Sequence, residues 1–84
     1  MTNTVADHTT RWEKKATDLL VGRTILEAFY MTAEEADETG FYGRPVVLVL
    51  DNGMQLIPQA DDEGNDGGAL LVADAARAHV LPLL

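Results

Sequence analysis

The side chains best equipped for chemistry are concentrated in one stretch, Gln59-Ala60-Asp61-Asp62-Glu63-Gly64-Asn65-Asp66-Gly67-Gly68. Five oxygen-bearing side chains fall within six residues, and glycines interrupt and follow them. Such a segment could wrap a hard cation, Ca²⁺ or Mg²⁺, with Asp61, Asp62, Glu63 and Asp66 as the ligand set. The spacing departs from the EF-hand loop, which alternates its acids around a central glycine and closes on a distant glutamate. Glycine amides could instead line an anion-binding concavity, but the surrounding carboxylates oppose it. The plainest reading is a long solvated connection whose Asp and Asn side chains hydrogen-bond their own backbone.

Catalytic chemistry has few means here. The chain contains no cysteine and no serine, which removes thiol and serine nucleophiles, disulfides and zinc–thiolate sites. Only His8 and His79 supply imidazoles for proton transfer, one in the polar leader and one between strands. Asp61 and Asp62 are adjacent on an exposed loop and lack the contrasting environments an acid–base pair needs. Lys14 and Lys15 lie on the open face of a helix, and no glycine-rich phosphate loop links a strand to a helix. An enzyme would require a pocket that brings His79 or the acidic loop beside Tyr30, Tyr42 or Arg44. The sequence therefore predicts a non-catalytic protein without catalytic residues or an organic cofactor.

The elements that position these residues follow from periodicity and turn chemistry. Two apolar runs, Val46–Leu50 and Met54–Ile57, flank Asp51-Asn52-Gly53, a hairpin signal. A type I turn with a glycine bulge puts Leu50 opposite Met54. Upstream, residues 1–9 are polar and aperiodic and predict a mobile leader, with a single domain over 10–84. Thr10 with Glu13 fits a capping box, so a short helix is expected from there to Gly22. Its stripe of Trp12, Ala16, Leu19 and Leu20 makes Trp12 a core anchor. Thr24–Met31 is a strand with both faces largely apolar, expected to lie between a helix and a core, with Glu27 near an edge. Thr32 with Glu35 repeats the capping box and opens a helix of about two turns that Gly40 closes. Val46–Leu50 reads as a central strand covered on both faces. Ala69–Ala73 and His79–Leu84 are further extended pieces around an Asp74–Arg77 turn, the last an edge because Pro82 has no N–H to give. The sum is α+β: a small antiparallel β-meander of about five strands, curled into an SH3-like, partly open barrel. One helix precedes it and one short helix follows the first strand.

Eighty-four residues with a formal charge of −8 suit one small acidic domain. The charge is unevenly placed. Residues 1–31 balance Asp7, Glu13, Asp18 and Glu27 against Arg11, Lys14, Lys15 and Arg23, so residues 32–84 hold the whole excess. An acidic surface repels phosphate backbones and argues against nucleic acid as a partner. The N-terminus lacks a secretory pattern and no apolar run reaches the ~18 residues of a membrane span, so a cytoplasmic protein off the membrane is expected.

Several segments together resemble a group of short, uncharacterised bacterial proteins. They are Leu20-Val21-Gly22-Arg23-Thr24-Ile25, Tyr30-Met31-Thr32-Ala33-Glu34-Glu35-Ala36, Arg44-Pro45-Val46-Val47-Leu48, Leu50-Asp51-Asn52-Gly53, and Pro58 through Asp61-Asp62-Glu63-Gly64-Asn65 to Leu70. The likeness spans about residues 20–84, is most distinctive in the acidic loop, and excludes the first helix. It implies no catalytic residue.

A domain this small buries only about 60% of its unfolded surface. It ends on the apolar run Val80-Leu81-Pro82-Leu83-Leu84, and a helix precedes its sheet. The leading expectation is thus a protein-interaction or self-associating module, with a protein partner or a homo-oligomer. The alternative is a cation-binding module built on residues 59–68, and a third, weaker one is an enzyme.

Overall fold

The computed structural model describes residues 5–84, with side chains from His8 onward. In chain order the elements are α1 (Val5–Leu20), β1 (Ile25–Tyr30), α2 (Ala33–Thr39), β2 (Val46–Leu50), β3 (Gln55–Leu56), β4 (Leu70–Ala73) and β5 (Ala78–Leu81). All pairings are antiparallel. The class is α+β, as expected, but the strands form two separate sheets, β1-β2-β3 and β4-β5, and neither closes into a barrel. The meander breaks after β3. Pro58 cannot extend that ladder, β3 is two residues long, and only an isolated Gln59–Gly67 bridge spans the following loop.

β2 is the central strand, and its register with β1 runs from Tyr30 opposite Val46 to Glu27 opposite Val49, with an irregularity at Leu26. The hairpin to β3 forms as its residues dictate. Gly53 N–H donates to Leu50 O at 3.0 Å, Leu50 N–H donates to Met54 O at 2.8 Å, and Gly53 sits at φ 85°. That is the type I turn with a glycine bulge. Asn52 Oδ1 accepts from Met54 N–H, and Asp51 ties the turn to the start of β1 through Thr24 and Arg23.

α2 carries its full capping box. Glu35 N–H donates to Thr32 Oγ1 at 3.1 Å and Thr32 N–H donates to Glu35 Oε1 at 3.0 Å. Gly40 at φ 86° then turns the chain so that Phe41 N–H reaches Ala36 O, closing the helix. This places Ala36 and Phe41 over the sheet, where they join Met31 and Val47, with Ile57 packed against them. Pro45, Val46 and Leu50 are buried as well. The clustered core lies at the end of the sheet where α2 joins it.

α1 differs from the sequence expectation twice. It begins at Val5, so Thr10 lies inside it and caps nothing, and residues 5–9 of the expected leader are helical. Residues 1–4 of that leader lie outside the described residues. No glycine or proline interrupts residues 5–12, so nothing local stops the helix from starting earlier. The second difference is that the described side chains of α1, from His8 to Leu20, are all exposed. Trp12 is 56% exposed and Leu19 and Leu20 are exposed as well, so Trp12 is not a core anchor. β1 is likewise exposed along most of its length, and Ile25 and Leu26 face solvent. Glu27 is exposed on an edge strand, as expected.

Candidate functional site

The acidic loop is built from its own hydrogen bonds. Asp61 Oδ1 accepts from Glu63 N–H at 3.0 Å and Asn65 N–H at 3.3 Å, while its Oδ2 accepts from Asn65 Nδ2 at 2.8 Å. Gly64, at φ 73°, supplies the backbone reversal between them. Asp66 looks the other way: its Oδ1 accepts from Gly67 N–H at 2.8 Å, Tyr42 N–H at 3.0 Å and Gly43 N–H at 3.1 Å. Both carboxyls are held below their ordinary pKa, Asp61 mainly by the Asn65 side chain and Asp66 mainly by the Gly43 amide. Charged oxygens directed at amide donors make strong backbone staples. Asp62 and Glu63 stay exposed at the tip. Of the four residues expected as a ligand set, Asp61 and Asp66 therefore bind two different backbone segments while Asp62 and Glu63 face solvent, and among the described residues no three or more His, Asp or Glu gather as a metal site would need.

The other chemistry-bearing residues are dispersed. His8 lies on α1 with its ring edge-on to Trp12, centroids 6.3 Å apart, and Lys15 Nζ sits 5.2 Å over the Trp12 ring. Arg11 and Lys15 flank a shallow groove beside the indole. Lys14 pairs with Asp18 at 2.8 Å on the solvent side. His79, opposite Val72 in the β4–β5 hairpin, is exposed. Tyr30 Oη donates to Pro82 O at 2.9 Å, and Arg44 Nε donates to Met31 O at 2.8 Å, so both serve the backbone. The Tyr42 ring is 95% exposed although its amide is bound by Asp66.

The C-terminal run is docked in part. Arg44 and Leu84 exchange two backbone hydrogen bonds, 2.7 and 3.0 Å, and Leu83 enters a notch between Gly43, Gly67 and Pro45. A Cβ on Gly67 would stand 2.8 Å from Pro45 and 2.9 Å from Leu83, and one on Gly43 would overlap the Leu83 side chain. These glycines exist for close approach. Of the run, Val80, Pro82 and Leu84 remain exposed.

More of the exposed apolar side chains lie elsewhere, on α1, β1 and the turn between them. Over half of the large exposed hydrophobic side chains fall between Trp12 and Phe29, with Leu26 at 62% and Val21 at 71% exposed. Sequence reasoning missed this surface by assigning the stripe of α1 to the interior. The signal was present in the charge map: residues 1–31 are the one long segment of an acidic chain whose charges cancel. Among the described residues, no helix is long and apolar enough to cross a membrane. Compared with known protein families, curated proteins and solved structures, the chain has no match.

Proposed function

We propose that this chain is a non-catalytic self-association module, and that its assembly surface is α1 with β1 rather than the C-terminal run. The observation that carries this reading is the amount of surface left open. The accessible area is 6517 Å², against about 4,900 Å² for a compact monomer of this mass. The excess, about 1,600 Å² by that scaling, lies in the range an obligate dimer buries on each partner. The shape agrees: the radius of gyration is 15.2 Å, whereas a compact domain of this length has about 12 Å.

A second copy is the occupant that the charges favour. The remaining acidic surface of residues 32–84 repels its own copy, and the balanced segment 1–31 does not. The apolar stripe of α1, with Arg11, Lys14 and Asp18 away from it, matches a helix that pairs in solution. A helix of 16 residues is marginal in water without such packing. Light scattering on the eluting protein at micromolar concentration tests the reading. The expected mass is twice 9.1 kDa; a single-chain mass at every concentration contradicts it.

A further inference from the structure

We infer that the free edge of β1 pairs with β1 of a second copy of this chain, antiparallel about a two-fold axis at Phe29. This inference rests on the self-association reading and names its contact. The direction of the edge groups follows from the ladder. Met31 N–H donates to Pro45 O at 2.9 Å, and Leu50 N–H donates to Met54 O at 2.8 Å on the opposite side of β2. In an antiparallel ladder, successive residues turn their N–H and C=O to alternate edges. Met31, Phe29 and Glu27 therefore bond toward β2. The N–H and C=O groups of Ala28 and Tyr30 point out along an edge that no strand among the described residues occupies.

The usual defences of an edge are missing on that side. β1 contains no proline, one charged residue, and a single irregularity at its start. Placing the axis at Phe29 sets Ala28 opposite Tyr30 of the second copy and the reverse, so all four outward groups of each copy find partners. An axis at Ala28 would place Tyr30 opposite the irregular Leu26 and lose that ladder. The result joins two three-stranded sheets into one of six strands, with β1 at its centre. Phe29 then meets its counterpart, Leu26 flanks the pairing three residues from the axis, and α1, connected through only Val21–Thr24, enters the same contact. Pairing through β4 is disfavoured because β4 follows directly on the acidic loop, so Asp61, Asp62 and Glu63 of two copies would be drawn together.

The absence of cysteine makes the test clean, since a single introduced thiol can form a disulfide only between copies. Across the proposed axis the Cα atoms of residue 29 lie about 4.5 Å apart, as opposite residues without mutual hydrogen bonds do. That is within disulfide reach. Under mild oxidation Phe29→Cys is expected to cross-link at least about tenfold faster than Val80→Cys, an exposed position outside the contact. In wild-type protein, the Ala28 and Tyr30 amides should exchange with deuterium as slowly as those of Val47 and Val49. Equal cross-linking rates in a folded Phe29→Cys protein overturn the β1 pairing, while a dimeric wild type leaves the self-association reading standing. A monomeric wild type removes both. Should Phe29→Cys not fold, exchange in the wild type decides: fast Ala28 and Tyr30 amides in a protein of dimer mass overturn the pairing, and slow ones support it.

Discussion

A single oxygen of Asp66 joins the acidic loop to the turn that precedes β2, through the amides of Gly67, Gly43 and Tyr42. Truncating it leaves three donors seeking water in a partly buried corner. Asp66→Ala should lower the melting temperature by several degrees, measured by calorimetry, whereas Asp62→Ala at the exposed tip should leave it unchanged. A pH dependence follows from the same bonds. The folded-state pKa of Asp66 is depressed relative to the unfolded chain, so its contribution is fully present above the unfolded value, about 4. It is lost as pH falls through that value toward the folded one. The gap between wild type and Asp66→Ala should thus be constant from pH 8 to about 5 and close below about pH 4; a gap that widens in acid would contradict this role. Asp61, Asp74 and Glu35 have pKa values lowered in the same direction, by Asn65, by the Ala76 and Arg77 amides, and by Thr32. Self-bonding of Asp61 with Asn65 was legible in the sequence because both ends lie within five residues. The partners of Asp66 lie 23 and 24 residues upstream, and nothing local announces them.

Among the elements, those governed by nearest neighbours were readable. The α2 capping box, its Gly40 stop, the Asp51–Gly53 turn with its bulge, and the Asp74 turn all form with the residues expected. Thr32→Ala should cost about 1 kcal/mol in denaturant unfolding, the usual loss at a helix N-cap. Gly43→Ala removes the notch that holds Leu83; the Leu84 amide should then lose its protection from hydrogen exchange while those of β2 keep theirs. Unchanged Leu84 protection would mean that the tail is held by something other than this notch. What could not be read was which apolar faces meet. The stripe of α1 and the doubly apolar β1 look alike whether they pack inside one chain or between two, because periodicity records a buried face and not its owner. The same ambiguity produced the expectation of a barrel. Five strands could have closed on one another, but β3 ends at Leu56 and hands the chain to a loop.

Taken whole, the molecule has a small core under α2, an acidic C-terminal two thirds, and an apolar, charge-balanced arm. Residues 32–84 hold ten acids against Arg44 and Arg77, so self-repulsion should be felt at low salt. Raising ionic strength from ~0.01 to ~0.15 M shortens the screening length from about 30 to 8 Å and should raise the melting temperature. A fall would show that attractive ion pairs outweigh this repulsion. The arm is exposed in a single chain, and the proposed self-association would cover it. Sedimentation equilibrium on the wild type and on a Trp12→Glu/Leu26→Glu double variant tests this most directly, since both side chains are solvent-exposed in one copy and their replacement leaves the Val47 core untouched. The wild type is expected at twice the chain mass and the variant at 9.1 kDa, both with intact β2 amide protection. A variant that still forms dimers, or a wild type that remains a single chain at hundreds of micromolar, would contradict the account.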